Sequence, residues 1–163
     1  VVFHDIANVR HARKAAEAGV DGLILVANGA GGHAGVVNPF ALIEEVRSFF
    51  DGTLILSGCL STGRDVAATR MLGADFAYMG TRFISTTESM AQGAYKQMIV
   101  DAETLPEHKL DMADEAKAWK TVWSAGQGSG GVHDVLPVAG LVSRMQQEYR
   151  QASEQFASES NFG

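Results

Sequence analysis

A single histidine stands inside the glycine-rich stretch Ala27-Asn28-Gly29-Ala30-Gly31-Gly32-His33-Ala34-Gly35. An imidazole titrates near neutral pH and can take or give a proton there. Glycines let the backbone turn sharply and let another group approach it closely. Together they could press backbone N–H groups against a flat or anionic ligand while His33 reaches the chemistry. The same pattern also describes a glycine-rich turn carrying a solvent-facing histidine. Two further stretches, Gly58 to Gly63 and Met79 to Arg82, place glycines in comparable positions. Glycines at successive strand ends offer N–H groups to a phosphate, and a following helix adds its dipole. Three such loops in register favour a phosphorylated cofactor over simple tight turns.

The other candidates are weaker. Gly29-Ala30-Gly31-Gly32-His33-Ala34 fits a loose dinucleotide fingerprint, but the next strand ends in Leu56-Ser57-Gly58, without the acidic residue that fingerprint requires. His11 lies among Arg and Lys, His108 in an irregular acidic stretch, and His133 after a glycine loop. His4 beside Asp5 could line a pocket at the end of the first strand. No two histidines show metal-ligand spacing with a carboxylate, so no metal is expected. Ser57 and Cys59 lack a basic partner for nucleophilic catalysis. Cys59 reads as a small loop residue that serves through its backbone.

The elements that must position these loops alternate. Val1–Ile6 reads as a strand, and Asn8 caps a helix over Val9–Ala18 that Gly19 ends. The apolar run Gly22–Val26 reads as a buried strand. Pro39 opens a helix to about Phe50, Thr53–Ser57 is a third strand, Arg64–Leu72 a helix stopped by Gly73, and Asp75–Met79 a fourth strand. Ala15–Asp21 and Ala68–Asp75 echo one another as small-residue helix, Gly-x-Asp turn and strand. Repeated helix–strand units imply an α/β fold with a parallel sheet, which puts the glycine loops together at the carboxyl ends of the strands. Beyond Thr87 the pattern changes. Glu88–Val100 reads as a helix with Met90, Ala94 and Met98 on one face, and residues 101–114 show no period. Trp119 and Trp123 could fill core gaps or wall a pocket. Gly126–Gly131 reads as a mobile or ligand-approaching loop. An amphipathic helix starts near Asp134 and runs through Tyr149, and the polar stretch from Ala152 is expected to fray.

The totals bound what the chain does. Its 163 residues suit one core, and 46% apolar with 20% charged residues suit a globular protein. No apolar run approaches the ~20 residues of a membrane helix. A net charge of −6 argues against a nucleic-acid surface. The one cysteine excludes an internal disulfide and fits a reducing, cytoplasmic compartment. The first residues carry no signal-peptide layout and read as a strand already under way, as though the chain begins in mid-domain.

Ala30-Gly31-Gly32-His33-Ala34-Gly35, Leu56-Ser57-Gly58, Gly63-Arg64, Leu72-Gly73-Ala74-Asp75 and Tyr78-Met79-Gly80-Thr81-Arg82-Phe83 occur in an order that resembles the nitronate monooxygenase (2-nitropropane dioxygenase-like) family. Trp123–Gly128 is similar to one bacterial branch of it. The resemblance implies a TIM barrel that binds FMN, with this chain supplying strands five to eight and C-terminal helices, since a whole barrel takes ~250 residues. Residues 1–87 would be the partial (β/α)8 barrel with the FMN-phosphate loops. Residues 88–163 would be a C-terminal helical extension of the same domain, with a segment of relatives absent near 101–102. By position, His33 matches the catalytic histidine, and Gly31 and Gly32 match the flavin-side loop. Gly58 and Cys59 match a Gly-Gly pair that holds the phosphate through backbone, with Cys59 a departure from glycine. Tyr78, Met79, Gly80 and Thr81 match the last phosphate loop. A glutamine common in the family near Val26 is absent. The implied reaction is oxidation of alkyl nitronates by FMN and O₂ to a carbonyl compound and nitrite, with a homo-oligomer left open as a possible assembly. FMN-dependent NAD(P)H enoyl-thioester or quinone reductases share the scaffold, and a non-catalytic phosphate-ligand protein is a third class.

Overall fold

A computed structural model describes residues 1–32, 35–102 and 125–159. Four parallel strands pair in chain order: β1 (Phe3–Ile6), β2 (Gly22–Val26), β3 (Thr53–Ser57) and β4 (Phe76–Tyr78). Between them lie α1 (Val9–Glu17), α2 (Pro39–Arg47) and α3 (Gly63–Met71). The alternation expected from the sequence is therefore present, as consecutive β/α units in one parallel sheet.

Each helix starts and stops on local signals. The Asn8 side chain accepts from His11 N–H at 2.9 Å, and the Asn38 side chain accepts from Phe40 N–H at 3.0 Å, just before Pro39. Thr62 and Asp65 form a reciprocal capping box on α3. The two Gly-x-Asp echoes fold alike. Gly19 and Gly73 both take positive φ (79° and 98°), and each following aspartate reaches the start of a strand. Asp21 accepts from Val2 N–H at 2.6 Å, and Asp75 from Leu54 N–H at 2.9 Å.

Strand alternation divides the sheet into two unlike faces. Ile6, Leu23, Leu25, Leu54 and Leu56 are buried against Ala12, Ala15, Leu42, Ile43 and Val46 of α1 and α2. Each such leucine stabilises the fold by about 1.5–3 kcal/mol relative to exposure. The opposite face is also apolar. Ile24 pairs with Ile55, Ile55 with Phe76, and Ser57 with Tyr78. There Phe3 is 41% exposed, Phe76 60% and Tyr78 56%, at the two open edges of the sheet.

The later elements differ from the expectation at their ends. α4 (Thr81–Ile84) is one turn directly after β4, and α5 covers Gly93–Asp101 rather than starting at Glu88. Met90 is outside the helix and fully exposed. Glu88 serves another purpose: its carboxylate accepts from Val138 N–H at 2.9 Å and caps α6 (Val138–Glu159). α6 thus begins after Pro137, not at Asp134, and it continues to Glu159 where fraying from Ala152 was expected. Asp134 is engaged instead with Arg82 and Arg144, at 2.7 Å each. Trp119, Trp123 and His108 lie outside the described residues. Among the described residues no helix is long and apolar enough to cross a membrane.

Candidate functional site

The three glycine loops meet. β2, β3 and β4 end side by side, and the loops leaving them line one cleft of about 320 Å³. Gly31, Gly32, Gly58, Cys59, Tyr78, Met79, Gly80 and Thr81 all border it, so every cofactor-binding residue expected from the sequence is brought to one place. Leu60 and Ile84 add apolar surface.

The first loop is pinned at both stems. Gly35 N–H donates to Val26 C=O at 3.1 Å and Asn28 N–H to Val37 C=O at 2.9 Å, which hold the two flanks of the glycine-rich segment at the carboxyl end of β2. His33 belongs to that segment and lies outside the described residues. His4, His11 and His133 are exposed, and none of them borders the cleft.

The second loop turns at Cys59, whose φ of 56° is the one positive value at a non-glycine residue among those described. A side chain in the left-handed region costs about 1–2 kcal/mol, so the backbone here favours glycine on physical grounds. The Cys59 thiol sits 3.8 Å from Asn28 C=O. A Cβ on Gly29 would fall 2.0 Å from Cys59 Sγ, and Gly29 itself has φ 84°, so position 29 needs glycine twice over. Partial burial, and then the Asp65 carboxylate, push the Cys59 thiol pKa up. A thiol kept protonated is a poor nucleophile, in line with a backbone role.

The third loop leads into α4. The N–H groups of Gly58, Cys59 and Gly80 donate to no described residue. Backbone donors left open around one cleft suit an anion such as a phosphate. At the start of α3 the donors are already taken: Asp65 accepts from Ser61 and Thr62 N–H at 2.8 Å each, and Glu148 of α6 from Gly63 N–H at 2.7 Å. The open donors are therefore those of the Gly58 and Gly80 loops rather than those of the α3 N-terminus.

The stretch expected from sequence to be a mobile or ligand-approaching loop reaches the cleft, while the pairings of Arg82 and Ser61 escaped sequence reasoning. Ala125, Gly126 and Gly128 form another wall, and the segment Gln127–Gly131 is a 3₁₀ turn packed over the cleft. Arg82 is 2% exposed and ion-paired with Asp134. Ser61 is buried and donates its hydroxyl to Gly128 C=O at 2.5 Å. Only the glycine content of 126–131 signalled any of this, because the pairings span more than fifty residues.

A Mycobacterium tuberculosis protein named (3aS,4S,5R,7aS)-5-hydroxy-7a-methyl-1-oxo-octahydro-1H-indene-4-carboxyl-CoA dehydrogenase is 36% identical over 105 residues, covering 63% of this chain and 30% of that protein. A Neurospora crassa nitronate monooxygenase is 29% identical over 140 residues, covering 76% of this chain and 36% of its own length. FabK from Thermotoga maritima superposes with a TM-score of 0.85 at 25% identity, over 96% of this chain and 63% of that one. The chain thus spans about a third of the length of these two curated relatives. Residues 1–107, which include the three strand-end loops, match the profile described as nitronate monooxygenase, and the chain belongs to that family of enzymes.

Proposed function

We propose that this chain forms the cofactor-bearing half of an FMN-dependent oxidoreductase that oxidises alkyl nitronates with O₂ to a carbonyl compound and nitrite. The observation that carries the reading is the convergence of three strand-end loops on one cleft, where the N–H groups of Gly58, Cys59 and Gly80 have no acceptor among the described residues. The sheet supports the barrel. Purely parallel sheets are ordinarily covered on both faces, and here the apolar face of Ile24, Ile55, Phe76 and Tyr78 runs between two open edges. Four more strands would pair with β1 and β4 and enclose that face. Residues 1–87 are then half of a (β/α)8 barrel, and 88–163 extend the same domain.

Bound FMN supplies the redox chemistry. The chain positions it. The N–H groups of Gly58, Cys59 and Gly80 and the Thr81 hydroxyl would hold its phosphate, and Gly31, Gly32, Tyr78 and Met79, which line the same cleft, would supply the rest of its site. His33 would accept the α-proton of a neutral nitroalkane or stabilise the anionic nitronate, acid–base work that an imidazole suits. His33→Asn in the full-length protein should lower turnover of a neutral nitroalkane by about 100-fold or more, with flavin content unchanged. Unchanged nitroalkane turnover would remove His33 from this role.

A second reading, an NAD(P)H-dependent reductase of thioester substrates, is favoured by the carboxyl-CoA substrate in the name of the M. tuberculosis relative. Fast anaerobic bleaching of the flavin by NAD(P)H would select it, and bleaching by a nitronate alone would select the monooxygenase.

A further inference from the structure

One short segment from the far end of the chain is hydrogen-bonded to all three loops. Gln127 N–H donates to Gly29 C=O at 2.9 Å, Gly126 N–H to Thr81 Oγ1 at 2.9 Å, and the Ser61 hydroxyl to Gly128 C=O at 2.5 Å. The fit is close. A Cβ on Gly126 would lie 2.9 Å from Gly29 O, and one on Gly128 would lie 2.8 Å from Ser61 Oγ. The same segment continues to Asp134, whose carboxylate grips the buried guanidinium of Arg82, the residue after Thr81.

We propose that Gly126–Gly131 is a clasp that sets phosphate recognition in this cleft, with Ser61 as a positioning residue that acts through it. The inference rests on the reading of the cleft as an FMN site. Phosphate recognition needs two loops from different strands to meet one dianion, and small misplacements weaken such convergent donors. The clasp fixes both. Ser61 stands two residues beyond Cys59 and is nearly inaccessible, so its bond to Gly128 anchors the Gly58–Cys59 turn. At the other loop, a hydroxyl has one proton and two lone pairs. Thr81 Oγ1 accepts from Gly126, which leaves its own proton free to donate to an anion in the cleft. Neither effect touches the isoalloxazine ring, so the clasp should govern FMN much more than riboflavin.

The test is equilibrium titration of the full-length apoprotein with FMN and with riboflavin. Ser61→Ala should weaken FMN about tenfold and riboflavin less than twofold, so that discrimination between the two collapses. Ser61→Thr, which keeps the hydroxyl, should restore it. Thr81→Val against Thr81→Ser makes the same comparison from the other loop, should Ser61→Ala fail to fold. Equal weakening of both flavins, or FMN affinity unchanged in a folded Ser61→Ala protein, overturns the clasp and leaves the FMN site standing. A wild-type protein that binds neither flavin overturns the reading of the cleft, and the clasp with it.

Discussion

At the amino ends of the strands, side chains close the backbone. Arg47 donates to Gly73 C=O at 3.1 and 2.9 Å, to Gly52 C=O at 2.6 Å and to the Asp75 carboxylate at 2.7 Å. Asp21 and Asp75 accept from Val2 and Leu54 N–H. At the carboxyl ends of the same strands, Gly58, Cys59 and Gly80 keep N–H groups with no acceptor among the described residues. Backbone donors near a protein surface are ordinarily paired or solvated. One end of the sheet thus meets that demand internally and stabilises the fold, and the other is arranged so that a ligand can meet it. In barrels built from β/α units, ligand chemistry gathers at the carboxyl end and stability at the amino end, and this sheet divides the same way.

The division can be broken from the stable end first. Arg47→Ala should lower unfolding stability by about 3 kcal/mol, because several charge-assisted bonds are lost together. Its FMN affinity should stay within twofold, by denaturant unfolding and flavin titration. A large loss of affinity would mean that the two ends are not separable. Gly29→Ala attacks the open end. The positive φ alone costs about 1–2 kcal/mol, and the new methyl meets Cys59 Sγ. FMN binding should be lost well before the fold, and retained affinity would show that this loop does not shape the cleft.

Acid should act on the paired carboxylates. The Leu54 N–H, then Arg47, hold the Asp75 carboxyl below the usual carboxylate range against a partial desolvation penalty, and Arg144, then Arg82, do so for Asp134. Depressed folded values contribute stability above the unfolded pKa of about 3.9, and that stability is lost as pH falls through the folded values. Melting temperatures should therefore decline from about pH 5 downward, with a shallower decline in Asp75→Asn. An identical acid limb in that variant would remove Asp75 from the account. The smallest effect belongs to Cys59→Gly. Relief of the left-handed strain is largely offset by the flexibility of glycine, leaving a gain of about 0.5 kcal/mol. FMN affinity should be unchanged if the position works through its backbone.

Much of this molecule was legible where neighbours along the chain set the structure. Asn8, Pro39, Gly19 and Gly73 bounded the helices as their local chemistry requires, and the Gly-x-Asp echo announced the repeated unit. The eight glycine-loop residues also fell into one cleft, because parallel strands in chain order put consecutive loops at one end. What was illegible depends on distant partners. Glu88 looked like the start of a helix because its use, capping Val138, lies fifty residues away. Asp134 looked like a helix cap because nothing nearby reveals Arg82. The polar tail of α6 gave no hint that it would stay helical, and the glycines of 126–131 could not disclose that their backbone would bind three separate loops.

The most direct test of the central claim is to purify the full-length protein, denature it and identify what is released by chromatography and mass. FMN in near one-to-one ratio is the expected result, as the ligand whose phosphate the Gly58 and Gly80 loops would hold. A protein that releases no flavin and takes up none when FMN is added would contradict the account, and the open carboxyl end of this sheet would have to serve another anion.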